Sequence, residues 1–142
     1  MGPSYDPDNI FAKILAGQIP CYKIHEDEKT FAFLDIMPRA DGHTLVIPKA
    51  QARNLFDCPA EDLKALIAAS QKIAKAARKA FAADGLSLMQ YNEAAGGQEV
   101  FHLHFHIIPR RAGEVLRPPG QMADKDLLVH HAELLKNALI TA

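Results

Sequence analysis

Apolar residues recur along this chain with two periods, 3.6 and 2, and the switches between them predict its elements. Ile10, Phe11, Ile14 and Leu15 share one helical face behind an Asp8-Asn9 cap, and Gly17 closes that short helix. Residues 21–25 and 30–36 read as strands joined by the polar turn 26–29, a hairpin. His43 opens a dense apolar strand to Pro48. The longest helix begins at Pro59, behind Asp57 or Cys58 as cap, and runs to about Ala83 with Leu63, Leu66, Ile67, Ile73, Ala77 and Phe81 at helical spacing. A fourth strand, 86–91, leads through the small-residue loop 92–100 into a fifth, 101–109, ended by Pro109. Residues 110–122 have no period, and a last helix follows from Ala123-Asp124. This order predicts an α+β domain, 8–142, with an antiparallel sheet of about five strands, one long helix and a shorter helix at each end. Residues 1–7 are polar and turn-rich and are expected to be disordered.

In the fifth strand, Phe101-His102-Leu103-His104-Phe105-His106-Ile107-Ile108-Pro109, strict alternation points three imidazoles one way and Leu103, Phe105 and Ile107 the other. Three readings compete for the histidine face. It is a solvated sheet face, or a metal site, or a site for nucleophilic and acid–base work on an anion with the central imidazole attacking. His102 and His106 lie ~13 Å apart at ~3.3 Å per residue, against Zn–N bonds of ~2.1 Å, which disfavours one ion shared by all three. The third reading leads.

Composition narrows the class. The length suffices for one core without staples, and Cys21 and Cys58 show no CxxC spacing, so two thiols in a reduced cytoplasmic chain are expected. No apolar run is long enough to span a membrane. Sixteen basic against seventeen acidic residues, a net charge of −1, provide no field for a nucleic acid, whereas a small phosphorylated ligand needs only local donors.

Other residues gain interest from their neighbourhood. Asp35 lies among apolar residues, where a carboxylate must be paired or used; capping the Met37-Pro38 turn and binding a ligand are equally open. Gly96-Gly97 lets backbone amides converge on an anion as a nest, beside the histidines. His43 at a strand end carries little weight alone.

His102-Leu103-His104-Phe105-His106-Ile107-Ile108 resembles the His-φ-His-φ-His-φ-φ signature of the histidine triad (HIT) family of nucleotidyl hydrolases and transferases. Segments 8–14, 17–20, 32–36, 42–49 and 97–98 look like family segments in family order, so the resemblance spans residues 8–110 and leaves 111–142 as a variable tail. It is close to the bacterial-type, purine nucleoside phosphoramidase branch.

The resemblance implies a five-stranded antiparallel fold, a homodimer, and an AMP-type substrate attacked at its α-phosphorus. His104 matches the nucleophile. Ile10, Phe11, Ile14, Phe33, Leu34, Ile36 and Leu45 resemble the apolar slot for the base, and Asp35 the carboxylate for the ribose hydroxyls. His43, His106, Asn92, Gln98 and the Val100 amide match positions around the α-phosphate, with Gly97 and Glu99 beside them and His102 the first of the catalytic set.

The implied function is hydrolysis of a nucleoside 5′-phosphoramidate through a nucleotidyl-histidine. Alternatives are a dinucleoside polyphosphate hydrolase, with Arg110-Arg111 serving a second nucleotide, and a nucleotide-binding interaction protein with vestigial activity. The mechanism asks for a neutral His104, one nitrogen protonated toward a fixed acceptor and cationic or partly cationic neighbours discouraging further charge. No metal is required, and magnesium enters only as the complex of a polyphosphate substrate. Two departures stand out: Glu99 replaces the usual Ser or Thr, and residues 9–12 lack the Cys pair that holds zinc in some members, so no zinc is expected.

Overall fold

A computed structural model describes residues 4–141. Helix α1 (Ile10–Leu15) starts where the Asn9 side chain accepts a hydrogen bond from the Ala12 amide at 2.9 Å. Gly17, at φ +76°, takes the left-handed conformation that ends it. Strands β1 (Lys23–Glu26), β2 (Thr30–Leu34) and β3 (Thr44–Pro48) follow, then α2 (Ala60–Ala80), β4 (Gly85–Met89), β5 (Phe105–Arg110) and α3 (Lys125–Thr141). The sheet is five-stranded, antiparallel at every pairing, in the order β1-β2-β3-β5-β4.

Both faces of the sheet centre are covered, which is why β2 and β3 read as unbroken apolar runs rather than alternating ones. On one face Ala32, Leu34, Val46, Phe105 and Ile107 pack with Leu66, Ile73 and Ala77 of α2 and Leu128 and Leu135 of α3. On the other, Phe31, Phe33, Leu45 and Ile47 meet Phe11 of α1. That second face carries the candidate functional residues.

Several boundaries differ from expectation, each for a tertiary reason. The histidine strand becomes regular only at Phe105, because β3 and β4 reach no further back: Val46 pairs with Phe105 and Met89 with His106. Residues 101–104 leave the sheet, and the Leu103 amide bonds the Ala52 carbonyl at 2.9 Å. Alternation survives there, since Leu103 is fully buried in the α2 core. Pro109 does not end the strand. Arg110 accepts from the Asp84 amide on the β4 side, so the missing N–H of Pro109 faces the opposite side, past the end of β3.

Neither Asp57 nor Cys58 caps α2. Pro59 stands at that position, and the Asp57 carboxylate accepts the Arg53 and Asn54 amides instead, each at 3.0 Å. Within the leader, the Tyr5 hydroxyl lies 2.8 Å from His102 Nδ1, and Asp6 turns the chain into Asn9. Its residues 1–3 lie outside the described residues.

Candidate functional site

A cleft of about 550 Å³ opens between α1, the face of β2, β3 and β5 opposite α2, and the loop after β4. Its apolar half is made by Ile10, Phe11 and Ile14 of α1 with Phe33, Leu34, Ile36 and Leu45 of the sheet and its edge, the whole set expected to form a slot. Asp35, Gly97, Glu99, Val100, His43, His104 and His106 line the rest. Among the described residues His102, Asn92 and Gln98 do not reach it.

His104 is buried, and its Nδ1 sits 2.6 Å from the His102 carbonyl oxygen. A carbonyl only accepts, so Nδ1 carries the proton and Nε2 presents a lone pair. The Phe11 ring stands perpendicular to the imidazole at a centroid distance of 5.0 Å and holds its plane. Burial pushes the His104 pKa down, opposed by its bond to the His102 carbonyl and by the Glu99 charge.

The neighbouring tautomers follow by the same logic. The Arg39 amide donates to His43 Nδ1 at 3.0 Å, which leaves the proton of the neutral ring on Nε2. That Nε2 lies 3.0 Å from His106 Nδ1, so His43 donates and the His106 proton sits on Nε2. Desolvation lowers both rings, His43 to about 4 and His106 to about 3. Burial thus favours the neutral form of the imidazoles around His104 at pH 7, rather than the cationic or partly cationic form expected, and the same desolvation favours an uncharged His104.

Asp35 caps the turn and also lines the cleft, so its carboxylate is placed for the second use the sequence left open. Its Oδ1 accepts the Met37 amide at 2.8 Å, capping the turn, while Oδ2 lies 3.6 Å from His43 Nε2, another residue of the cleft. Burial raises its pKa, and the Glu99 charge adds to that. Ligand atoms of Asp35, His43 and His106 lie within 4.8 Å of one another, close enough in distance for a metal. The Arg39 bond to His43 Nδ1 opposes this use, because a metal on Nε2 would require the ring to give up its last proton.

Three expected site residues have other tasks. His102 is fully buried between the Pro48 carbonyl, 2.9 Å from its Nε2, and Tyr5. Gln98 spends its amide on Asn54, the Glu93 amide and the Arg53 and Val100 carbonyls, and so pins the loop. Asn92 holds Leu55 and Gln90. The nest does not form either: the Gly96, Gly97 and Gln98 amides bond back to Glu93 and Ala94. Gly97, at φ +97°, is needed for the turn and for the close approach of the Tyr91 ring.

Sequence reasoning missed Arg39, Tyr91, Cys21, Pro119 and Gly120 as cleft residues. The last two come from the aperiodic tail, folded back by bonds from the Arg117 amide to the Arg39 carbonyl and from the Ala123 amide to Ile36. No local pattern announces such contacts. Arg110 and Arg111 stay outside the cleft: Arg110 reaches the Ser87 hydroxyl, and Arg111 forks onto the Phe81 carbonyl behind α2.

A neutral buried imidazole with one free nitrogen, at the edge of an apolar slot, belongs to the class of sites equipped to attack an electrophilic centre. The family model for the HIT domain matches residues 16–113, and the chain belongs to that family. Adenosine 5′-monophosphoramidase HNT1 of Saccharomyces cerevisiae is 41% identical over 130 residues, 89% of this chain and 80% of the yeast protein. Adenylylsulfatase HINT3 of Arabidopsis thaliana is 38% identical over 125 residues, 84% of this chain and 64% of its own. A crystal structure of a HIT-like protein from Bartonella henselae superposes with a TM-score of 0.92 at 51% identity, over 96% of this chain and 99% of that one.

Proposed function

We propose that the protein hydrolyses nucleoside 5′-phosphoramidates of the AMP type through a covalent nucleotidyl-His104 intermediate. The observation that carries this reading is the 2.6 Å bond from His104 Nδ1–H to the His102 carbonyl, which turns the Nε2 lone pair to the cleft. The base occupies the slot around Phe11, Phe33 and Leu45, and the ribose hydroxyls donate to Asp35. Nε2 of His104 bonds to the α-phosphorus as the bond to the leaving nitrogen breaks. The His106 Nε2–H and the Val100 amide hold the phosphoryl oxygens, preorganised donors where charge develops. The leaving nitrogen takes a proton from water in the open cleft; a second water then cleaves the phosphorus–histidine bond and returns a proton to solvent. Metal has no step in this scheme.

The charges of the cleft favour an amidate over a dinucleoside polyphosphate. Asp35 and Glu99 are its carboxylates and Arg39 its guanidinium, with Nε of Arg39 engaged by the Arg117 carbonyl, while the imidazoles are neutral. Such a lining suits a single phosphate charge with a neutral or cationic leaving group. Arg110 and Arg111, the candidates for a second nucleotide, are committed elsewhere. The relatives named for an adenosine 5′-monophosphoramidase and an adenylylsulfatase activity both act on an adenylyl group carrying a leaving group, which supports attack at its phosphorus.

The test is intact-protein mass after rapid mixing with an adenosine 5′-phosphoramidate, together with steady-state turnover. Wild type is expected to gain one adenylyl group or to turn over, and His104→Gly to do neither while still binding AMP. Undiminished turnover by His104→Gly would refute the nucleophile assignment. A kcat/KM favouring a diadenosine polyphosphate over the amidate would overturn the choice of leaving group. The assembly we propose is a homodimer joined through the free edge of β4, where Leu88 is exposed; light scattering should then give twice the 15.6 kDa chain mass.

A further inference from the structure

The fully buried His102 ring has two nitrogens and two partners, and one partner comes from the far end of the chain. Nε2 faces the Pro48 carbonyl, so it holds the proton; Nδ1 is then a bare acceptor, and the Tyr5 hydroxyl 2.8 Å away must donate to it. The Tyr5 ring also stands edge-on to the imidazole at 5.5 Å. Ninety-seven residues separate the pair, and Tyr5 precedes the segment that the family model matches.

His102 is the residue whose carbonyl orients His104. Phe11 contacts both rings, at centroid distances of 6.4 Å to His102 and 5.0 Å to His104. The segment carrying Tyr5 is itself anchored. The Asp6 carbonyl accepts from the Asn9 amide and from Asn9 Nδ2, and the Asp6 carboxylate accepts the Asp8 amide at 2.9 Å. Asn9 in turn caps α1, which carries Ile10, Phe11 and Ile14 into the cleft.

We propose that Tyr5 is a positioning residue for the reaction: its hydroxyl, by donating to His102 Nδ1, fixes the His102 ring and the carbonyl that aims the His104 lone pair. The N-terminal segment is thus a brace for the nucleophile, tied to the same turn that starts the base-binding helix. Without the hydroxyl, a buried acceptor is left unpaired, and His102 must turn or admit water to satisfy it. Either response loosens the Pro48 bond and the backbone at His102. Substrate binding, which uses the slot and Asp35, is untouched.

The turnover part of this inference rests on the proposed function; the ring signals do not. Tyr5→Phe keeps the aromatic edge and removes only the donor; Tyr5→Ala removes both. With an adenosine 5′-phosphoramidate, Tyr5→Phe is expected to lose roughly five- to thirtyfold in kcat with KM within about twofold, and Tyr5→Ala to lose little more. Nitrogen NMR on histidine-labelled full-length protein is expected to show His102 protonated at Nε2. In Tyr5→Phe the His102 Nδ1 resonance should shift and the His104 Nδ1–H signal should broaden.

A Tyr5→Phe protein with wild-type kcat overturns the inference, whether or not the His102 resonance moves. A loss seen in Tyr5→Ala alone assigns Tyr5 to packing and overturns it equally. Should wild type not turn over the amidate, the proposed reaction fails and the His104 signal decides: broadening in Tyr5→Phe supports the brace, and an unchanged signal refutes it.

Discussion

At the residue scale, tautomers decide what the histidines can do, and fixed backbone groups decide the tautomers. The His102 carbonyl, the Arg39 amide and the Pro48 carbonyl leave His104 with a free Nε2 and His106 with an Nε2–H. Four like residues acquire distinct roles without any difference in covalent structure. Asp35 has a task that can be separated from theirs. If Oδ2 receives the ribose hydroxyls, Asp35→Asn should raise KM for an adenosine phosphoramidate roughly ten- to a hundredfold with little change in kcat. It should also erase the preference of wild type for ribose over 2′-deoxyribose. A variant that still discriminates the two sugars would leave Asp35 with the turn alone.

The decisive element is the loop between β4 and β5, whose expected anion nest turned out to be self-bonded. Gln98 is its fastener, 4% exposed and bonded at both ends of its amide, with Asn54 buried beside it. Gln98→Ala strands the Glu93 N–H and the Arg53 and Val100 carbonyls at once and takes one of two acceptors from the Asn54 amide, which keeps the Glu93 carboxylate. The expected cost is about 2–4 kcal/mol of unfolding free energy, together with a fall in kcat as Val100 and Glu99 lose their fixed place. Urea denaturation measures the first and steady-state kinetics the second. An unaltered midpoint would mean that water replaces the amide. The bidentate Arg53–Glu93 pair, with Nε to Oε2 at 2.8 Å and Nη2 to Oε1 at 3.0 Å, crosses the same junction. Both side chains are partly buried, so the pair adds to the fastening of the loop.

At the scale of the whole molecule, burying imidazoles whose pKa is depressed, His104 and His131 among them, couples folding to pH. His43 and His102, at about 4, and His106, at about 3, bind protons in the unfolded chain from about 6.5 downward but in the folded chain only well below that. The unfolded state therefore binds more protons in this window, so stability rises with pH across it and falls on acidification. Unfolding free energy should be flat from pH 8 to 7 and drop steadily from about pH 6.5 toward 4. His102→Gln should shallow that slope. A pH-independent midpoint between 7 and 5 would contradict the assignment of these rings as buried and neutral. Among the described residues no helix is long and apolar enough to cross a membrane.

Local sequence determines a great deal here because short-range physics is enough for it. Among the described residues the 3.6 and 2 periods locate the α-helices and strands to within a few residues, though not the single 3-10 turn at Ala94–Gly96, and alternation places Leu103, Phe105 and Ile107 in the core. The spaced imidazoles mark the chemistry, and the apolar slot residues named from resemblance all line one cleft. Tertiary structure alone decides which histidine faces the cleft, because each ring is steered by a carbonyl or amide near it in space or by an edge that β3 and β4 fail to reach. His102 turns inward for that reason, and His104 outward. The same holds for Arg39, Tyr91, Pro119 and Tyr5, which enter the site or its support through contacts across the fold. No period in the chain encodes a hydrogen bond between residue 5 and residue 102. Such a bond exists only once the sheet has brought both to one place.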